Sequence, residues 1–447
     1  MATTYLTRTP STNGNRQIFT FSAWIKRSAL SSSNTYAIAY FGATSITDGT
    51  TVIRFLNDEL NVYIRDGSNN RMLTTNRLFR DTSAWYHIVV EVDTTQATES
   101  NRVKLYVNGE QETSFSSATY PTQNLNLNVS TSGQINRLGV YADSGGSLGS
   151  YFDGSMSHFH FIDGTAYDAT AFGQYDANGV WTINTSPSVT YGTNGFFILK
   201  NGNSVTDQSG NGNNFTVASG TLTKTEDSPS NVFATMNRLD NFYANATVSN
   251  GNTTVATDGT NETFITSTLA VSTGKYYWEV EFDAGSDNSF IGIIDRVSDS
   301  SSFQSYIDAT NGISYKKNGA IYTNGGNMSG VNIGTYTTGD IISVAMDLDN
   351  NKLYFGKNGS WLNSGVPTSG STGTGAFSIN SSPKDGVYYA QVGDDNTGSQ
   401  TLKCNFGNGY FGTTAVASAG TNASGIGIFE YDVPTGYTAL STKGLNL

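Results

Sequence analysis

Cysteine is almost absent from this 447-residue chain, where Cys404 stands alone. One thiol can form neither an intrachain disulfide nor a cysteine-based zinc site. Charge is also scarce: Asp, Glu, Lys and Arg together make up 13%, against a usual share of about 25%. Cations are the scarcer sign, 24 Lys and Arg against 36 Asp and Glu, which leaves a net charge of −12. Nucleic-acid recognition needs a concentrated cationic face, and an anionic membrane surface repels an acidic chain. Neither partner is expected. No apolar run approaches the roughly 18 residues of a membrane span, so no membrane insertion is expected either. No basic start followed by an apolar stretch marks a signal peptide. The expectation is a soluble polypeptide that folds in a reducing cytoplasm.

Helical periodicity is missing too. No window of about 12 residues repeats its apolar positions every 3.6, and Gly interrupts most candidates. What is abundant is aromatic and turn-forming: 25 Tyr, 24 Phe and 49 Gly. Aromatics favour strands and bury large areas, while Gly, Asn, Ser and Asp favour turns. In Gln17–Arg27, Phe19, Phe21, Ala23 and Ile25 alternate with other residues, the period-2 pattern of a half-buried strand. Similar runs occupy 52–65, 85–92, 103–107, 135–141, 151–161 and 195–200. Asn108-Gly109 is a tight-hairpin pair, because both positions tolerate positive φ.

The rhythm breaks at 226–240, which is charged and carries Pro229. It then restarts with strand patterns at 274–283, 289–294, 312–322, 339–361, 387–393 and 401–406, and with a Gly/Ser/Thr-rich stretch at 363–376 that reads as an exposed loop. The expected organisation is an all-β chain of two antiparallel sandwiches in tandem, with negligible helix: a domain at 1–225, a linker at 226–240, a second domain at 241–428 and a tail at 429–447.

The first half resembles the laminin-G-like, concanavalin A-like jelly rolls. The residues that carry the likeness are Phe19-Thr-Phe-Ser-Ala-Trp24, Trp85-Tyr-His-Ile-Val-Val90, Val103-Lys-Leu-Tyr-Val-Asn-Gly109 and Phe152-Asp-Gly154. Asp207-Gln-Ser-Gly-Asn-Gly-Asn-Asn214 also resembles a family turn, one that many relatives place near the domain start. The second half resembles SPRY domains through Gly274-Lys-Tyr-Tyr-Trp-Glu-Val-Glu281, Ile291-Gly-Ile293, Gly339–Asp347, Lys352-Leu-Tyr-Phe355 and Leu402–Gly407. The two modules, the Glu226–Phe233 junction and the Val433-Pro-Thr-Gly-Tyr437 ending together resemble virion proteins of tailed bacteriophages. That resemblance implies a structural protein of the virion, assembled in the host bacterial cytoplasm. Its role would be a tail fibre or tail-associated receptor-binding protein that recognises a host-surface glycan or protein. A capsid decoration or head-fibre protein and a glycan-depolymerising tailspike are the alternatives. Other virion proteins would be partners, and a homo-oligomer, favoured as a trimer, would supply avidity.

Candidate chemistry is sparse. Glu279, Glu281 and Asp283 lie two apart on one strand, spacing that suits a glycosidase pair and suits a solvated strand face better. His158 and His160 are expected to share a strand face as satisfied sandwich histidines rather than metal ligands. No nucleophile elbow or phosphate loop is present. The chain is expected to be non-enzymatic and free of cofactors, with Ca²⁺ the one candidate ion, at Asp143, Asp153 and Asp207. Sugar-binding loops need rings that stack on apolar sugar faces. Tyr141, Tyr151, Tyr306, Tyr322 and Trp361, all near polar loops, are the candidate ligand-binding residues.

Overall fold

The computed structural model describes residues 3–200, 204–240, 246–260, 262–285, 287–297, 311–323, 326–395 and 398–446. Two compact units divide the chain, Met1–Lys224 and Thr225–Leu447. Both are all-β, and the only helical segments among the described residues are short 3-10 turns.

In the first unit a six-stranded antiparallel sheet runs in the order Phe196–Ile198, Gly154–Asp163, Ile18–Arg27, Trp85–Asp93, Val103–Val107, Glu110–Gln111. An eight-stranded antiparallel sheet faces it. Its order is Phe115–Ala118, Asn69–Leu78, Glu59–Asp66, Thr51–Leu56, Thr35–Gly42, Ile135–Leu138, Tyr5–Arg8, Thr216–Ser219. Alternate side chains of both sheets meet as a core that includes Phe19, Phe21, Ile25, Ile53, Phe55, Val62 and Ile64. The sequence alternation predicts this inward set. It also predicts a half-buried strand at Ile18–Arg27, and there the structure goes further: both faces of that strand are buried. Residues 165–191 roof the outer face, with Tyr167, Phe172, Trp181 and Tyr191 packed over it. Trp181 donates its Nε1–H to Nδ1 of buried His87 at 3.0 Å, and Trp24 stacks on the same imidazole at 4.9 Å.

The second unit repeats the plan. Its larger sheet centres on Lys275–Ala284, flanked by Thr401–Asn405 and Ile341–Asp347. Its smaller sheet runs Thr263–Val271, Tyr388–Asp394, Ser289–Ile294, Ile313–Lys316, Ala320–Thr323, Gly326–Asn332. Trp278, Val280, Phe282, Ile291, Ile293 and Tyr315 lie in the core.

The segments expected as linker and tail both pack into this unit. Phe233, Ala234 and Met236 are buried, and the Ala234 N–H donates to the Leu440 carbonyl at 2.9 Å. Thr438–Ala439 adds to Lys275–Ala284 as a parallel strand, and Phe429, Val433 and Tyr437 fill a cluster with Tyr277 and Tyr354. Charge and Pro229 obscured the apolar residues that anchor the first segment. The stretch 363–376, expected as an open loop, contains the 3-10 turn Pro367–Thr372, with Pro367 buried.

Candidate functional site

The outer face of the first unit's eight-stranded sheet brings tyrosine rings and guanidinium groups together. Register builds it. Thr7 pairs with Arg137, Arg137 with Tyr40, Tyr40 with Val52, Val52 with Tyr63 and Tyr63 with Met72. Directly opposed residues share a face and neighbouring strands lie about 4.8 Å apart, so these side chains form one row across six strands. A second row runs beside it through Arg54, Asn61, Thr74 and Ser117. Hydrogen bonds lock this row: Arg54 Nε donates to Asn61 Oδ1 at 2.8 Å, and Asn61 Nδ2 donates to Thr74 Oγ1 at 2.8 Å.

A short hairpin, Tyr141–Ala142 paired with Leu148–Gly149, crosses over the rows. Ala142, Leu148 and Ile46 pack with Tyr40, Val52 and Tyr63 beneath it, so the middle of the face is closed. The part of the face left open carries half-buried Arg54, Arg65, Met72 and Tyr141 and exposed Asn70. Arg54 lies over the Tyr63 and Tyr141 rings at 5.5 and 5.6 Å, within cation–π range. Tyr63 donates its hydroxyl to Asn70 Oδ1 at 2.9 Å, and Arg65 donates to the same oxygen at 2.6 Å. Arg137 lies over Tyr40 at 5.2 Å and donates to the Ala43 carbonyl at 3.0 Å.

Burial shapes the electrostatics of this patch. It lowers Arg54 and Arg137 below the ordinary guanidinium value, and the neighbouring tyrosine hydroxyls oppose the shift. It raises the Tyr141 phenol, which Arg54 pulls back, and pushes Tyr40 up to about 12. The rings therefore stay neutral at physiological pH. The arrangement offers an aromatic edge for an apolar sugar face, with amide and guanidinium donors beside it for hydroxyls.

Of the predicted aromatics, Tyr141 belongs to this open part. Tyr151 lies elsewhere in the same unit, half-buried with its ring 6.2 Å from that of Tyr5. In the second unit, Tyr322 packs against Phe264, Phe290, Ile294 and Tyr389, under Lys316. Trp361 leans edge-on against Tyr277 and Tyr354 as part of a packed cluster. Tyr306 lies outside the described residues. Arg54, Tyr63, Asn70 and Arg137 were not foreseen. The signal was present in 52–65, where Val52, Arg54, Asn61, Tyr63 and Arg65 are the alternates to the core-facing Ile53, Phe55, Val62 and Ile64.

The three candidate Ca²⁺ aspartates do not come together. Among the described residues no three His, Cys, Asp or Glu side chains converge as a metal site. Asp143 accepts the N–H groups of Gly145 and Ser147 within its own turn. Asp207 accepts from the amides of Phe197, Ser209 and Asn213 and from the Ser209 hydroxyl, so its oxygens organise the 207–214 loop. Asp153 is half-buried, and its carbonyl accepts from Ser28.

Two expectations about strand faces are corrected. Glu279 is not on a solvated face. It is fully buried and takes the N–H groups of Glu430 and Tyr431 at 2.8 and 2.9 Å and the Tyr277 hydroxyl at 2.8 Å. Glu281 and Asp283 instead share Lys403, at 3.4 and 2.6 Å. His158 and His160 do not follow simple alternation, because a register shift falls between Ser157 and His160 and His158 adopts φ 47°. His160 is satisfied by the Tyr191 hydroxyl at 2.9 Å and stacks on Phe197 at 4.0 Å.

Residues 2–170, which contain the whole candidate site, match the family model described as the Concanavalin A-like lectin/glucanases superfamily (Laminin_G_3). No curated protein matches the chain. Among solved structures, the chain is similar to the SPRY domain of human HERC1, with 16% identity, 38% of this chain and 96% of that one covered, and a TM-score of 0.31. It is also similar to a heptameric SAP-like pentraxin from Limulus polyphemus, with 18% identity, 37% and 71% coverage and a TM-score of 0.28. A third is the Ruminococcus gnavus IT-sialidase CBM40 bound to α2,3 sialyllactose, with 16% identity, 32% and 75% coverage and a TM-score of 0.25.

Proposed function

We propose that this chain is a non-catalytic recognition protein that holds a glycan on the open part of the outer face of its first unit's eight-stranded sheet, beside the Tyr141–Gly149 hairpin. One observation carries the reading: Arg54 lies over the rings of both Tyr63 and Tyr141, with Asn70 and Arg65 on the same face, which the core does not use. Rings stack on the apolar faces of sugars, and preset donors select among hydroxyls at little entropic cost. The match of residues 2–170 to a lectin and glucanase superfamily supports a saccharide as the ligand. The non-catalytic part is supported by the strand carboxylates, since Glu279 is engaged by backbone amides and Glu281 and Asp283 by Lys403.

The setting we propose is the virion of a tailed bacteriophage, with the chain as a tail fibre or tail-associated receptor-binding protein assembled in the bacterial cytoplasm. Its module order and its lack of disulfides support this reading. Weak single sites would gain avidity from several copies, a trimer being the favoured arrangement, with other virion proteins as neighbours. The test is adsorption of the purified full chain to host cells and to polysaccharide extracted from them. Saturable binding that falls at least about tenfold in Tyr141→Ala, without release of reducing ends, is expected. Binding unchanged by Tyr141→Ala, or steady release of shortened saccharides, overturns the reading. Location on the head rather than the tail, seen by particle imaging, would move the chain to a capsid decoration role.

A further inference from the structure

Among the described residues four of the ten arginines of the first unit pair with a carboxylate. Arg27 pairs with Asp58 at 2.8 Å, Arg71 with Asp66 at 3.3 Å, Arg77 with Glu112 at 2.6 Å and Arg80 with Asp58 at 3.1 Å. Arg8, Arg16 and Arg102 are held by amide and carbonyl oxygens instead, and the arginines of the candidate face belong with them. Among the described residues no carboxylate pairs with Arg54, Arg65 or Arg137, and no carboxylate is among the charges acting on Arg54 or Arg137. This occurs in a chain whose anions outnumber its cations, 36 to 24. A partly buried guanidinium normally acquires a counter-ion, because desolvation without one is costly. Here neutral groups hold the cations in place: Asn61 for Arg54, Asn70 for Arg65 and the Ala43 carbonyl for Arg137.

The nearby acids are occupied elsewhere. Asp143, on the roofing hairpin, accepts two amides of its own turn. Asp48 accepts the Gly67 N–H, and Asp66 is paired with Arg71 and accepts the Thr122 N–H. Resting on the glycan reading above, we infer that the ligand is an acidic saccharide, whose carboxylate is taken by Arg54 while its ring stacks at Tyr141. Arg65, four residues beyond Asn61 and so roughly 13 Å along the strand, is placed to meet a second acidic residue of the same saccharide. Guanidinium forks suit carboxylates because two parallel N–H donors match two oxygens.

The experiment uses the full chain and matched probes: oligosaccharides bearing galacturonate, glucuronate or sialate, each alongside its neutral methyl ester. Calorimetry or affinity electrophoresis reads binding at two salt concentrations, for wild type, Arg54→Gln and Arg54→Lys. At least one acid should bind at least about tenfold more tightly than its ester, more weakly at higher salt, with the preference lost in Arg54→Gln and reduced in Arg54→Lys. Thermal unfolding of each variant, matched to wild type, separates a lost contact from a lost fold. If esters bind as well as acids in a Tyr141-dependent way, the acid preference is wrong while the glycan reading stands. If no probe of either kind binds while host polysaccharide still does, the acid preference falls and the glycan reading stands; if host polysaccharide fails as well, both fall.

Discussion

Glu279 makes the second unit's stability depend on pH in a direction opposite to that of carboxylates lowered by ion pairs and hydrogen bonds, such as Asp295. Burial pushes its carboxyl up to about 7, although the N–H groups of Glu430 and Tyr431 and the Tyr277 hydroxyl favour the ionised form. The unfolded chain holds the same group near its ordinary value of 4.5. Between these values the folded state binds the proton and the unfolded state does not, so stability falls as pH rises. Each unit of difference is worth about 1.36 kcal/mol, so raising the pH from 5 to 8 should remove about 3 kcal/mol. Glu279→Gln keeps the size and abolishes the titration. It also sets an NH₂ group toward one of the backbone donors, at a cost of about 1–3 kcal/mol that does not vary with pH. Urea unfolding of both proteins at pH 5, 6, 7 and 8 isolates the effect, because other titrating groups cancel in the difference. Wild type should lose its advantage over the variant as pH rises. A pH-independent difference, or one that grows with pH, would show that the donors outweigh burial and refute the reasoning.

The remaining predictions concern the first unit. Asp58→Ala leaves Arg27, which is 1% exposed, as an uncompensated buried cation and should cost about 3–5 kcal/mol in urea unfolding. Gly109 sits at φ 85°, and an added Cβ would lie 2.4 Å from the Trp181 ring; Gly109→Ala should therefore destabilise by more than about 1 kcal/mol and shift the tryptophan emission. Burial lowers His87 to about 3, so its ring should show no NMR titration between pH 8 and 4. Because the unfolded chain takes up that proton near 6.5, this histidine makes the first unit less stable as pH falls below 6.5, the reverse of the Glu279 effect.

Much of the architecture was legible because local pattern and final environment agree. Phe19, Phe21, Ala23 and Ile25 alternate in sequence and face one core in space. Asn108-Gly109 takes positive φ at both positions, 49° and 85°, as a tight turn requires. Other features depend on residues far apart in the chain. Nothing near Glu279 indicates that the amides of residues 430 and 431 will cover it. The roof over His87 comes from Trp181, 94 residues away. The candidate site is of this second kind. Arg54, Arg65, Asn70 and Met72 come from three strands, Tyr141 comes from the hairpin, and only the register brings them to one face. Tyr141 was legible because it borders a polar turn; Arg54 passed unnoticed because single charges on a strand usually face solvent.

Oxidative footprinting of the full chain with and without saturating host saccharide would show directly where recognition occurs. Protection is expected at half-buried Tyr141 and Met72, with residues 225–447 unchanged and the saccharide recovered intact. Protection confined to the second unit, or a cleaved saccharide, would contradict the account.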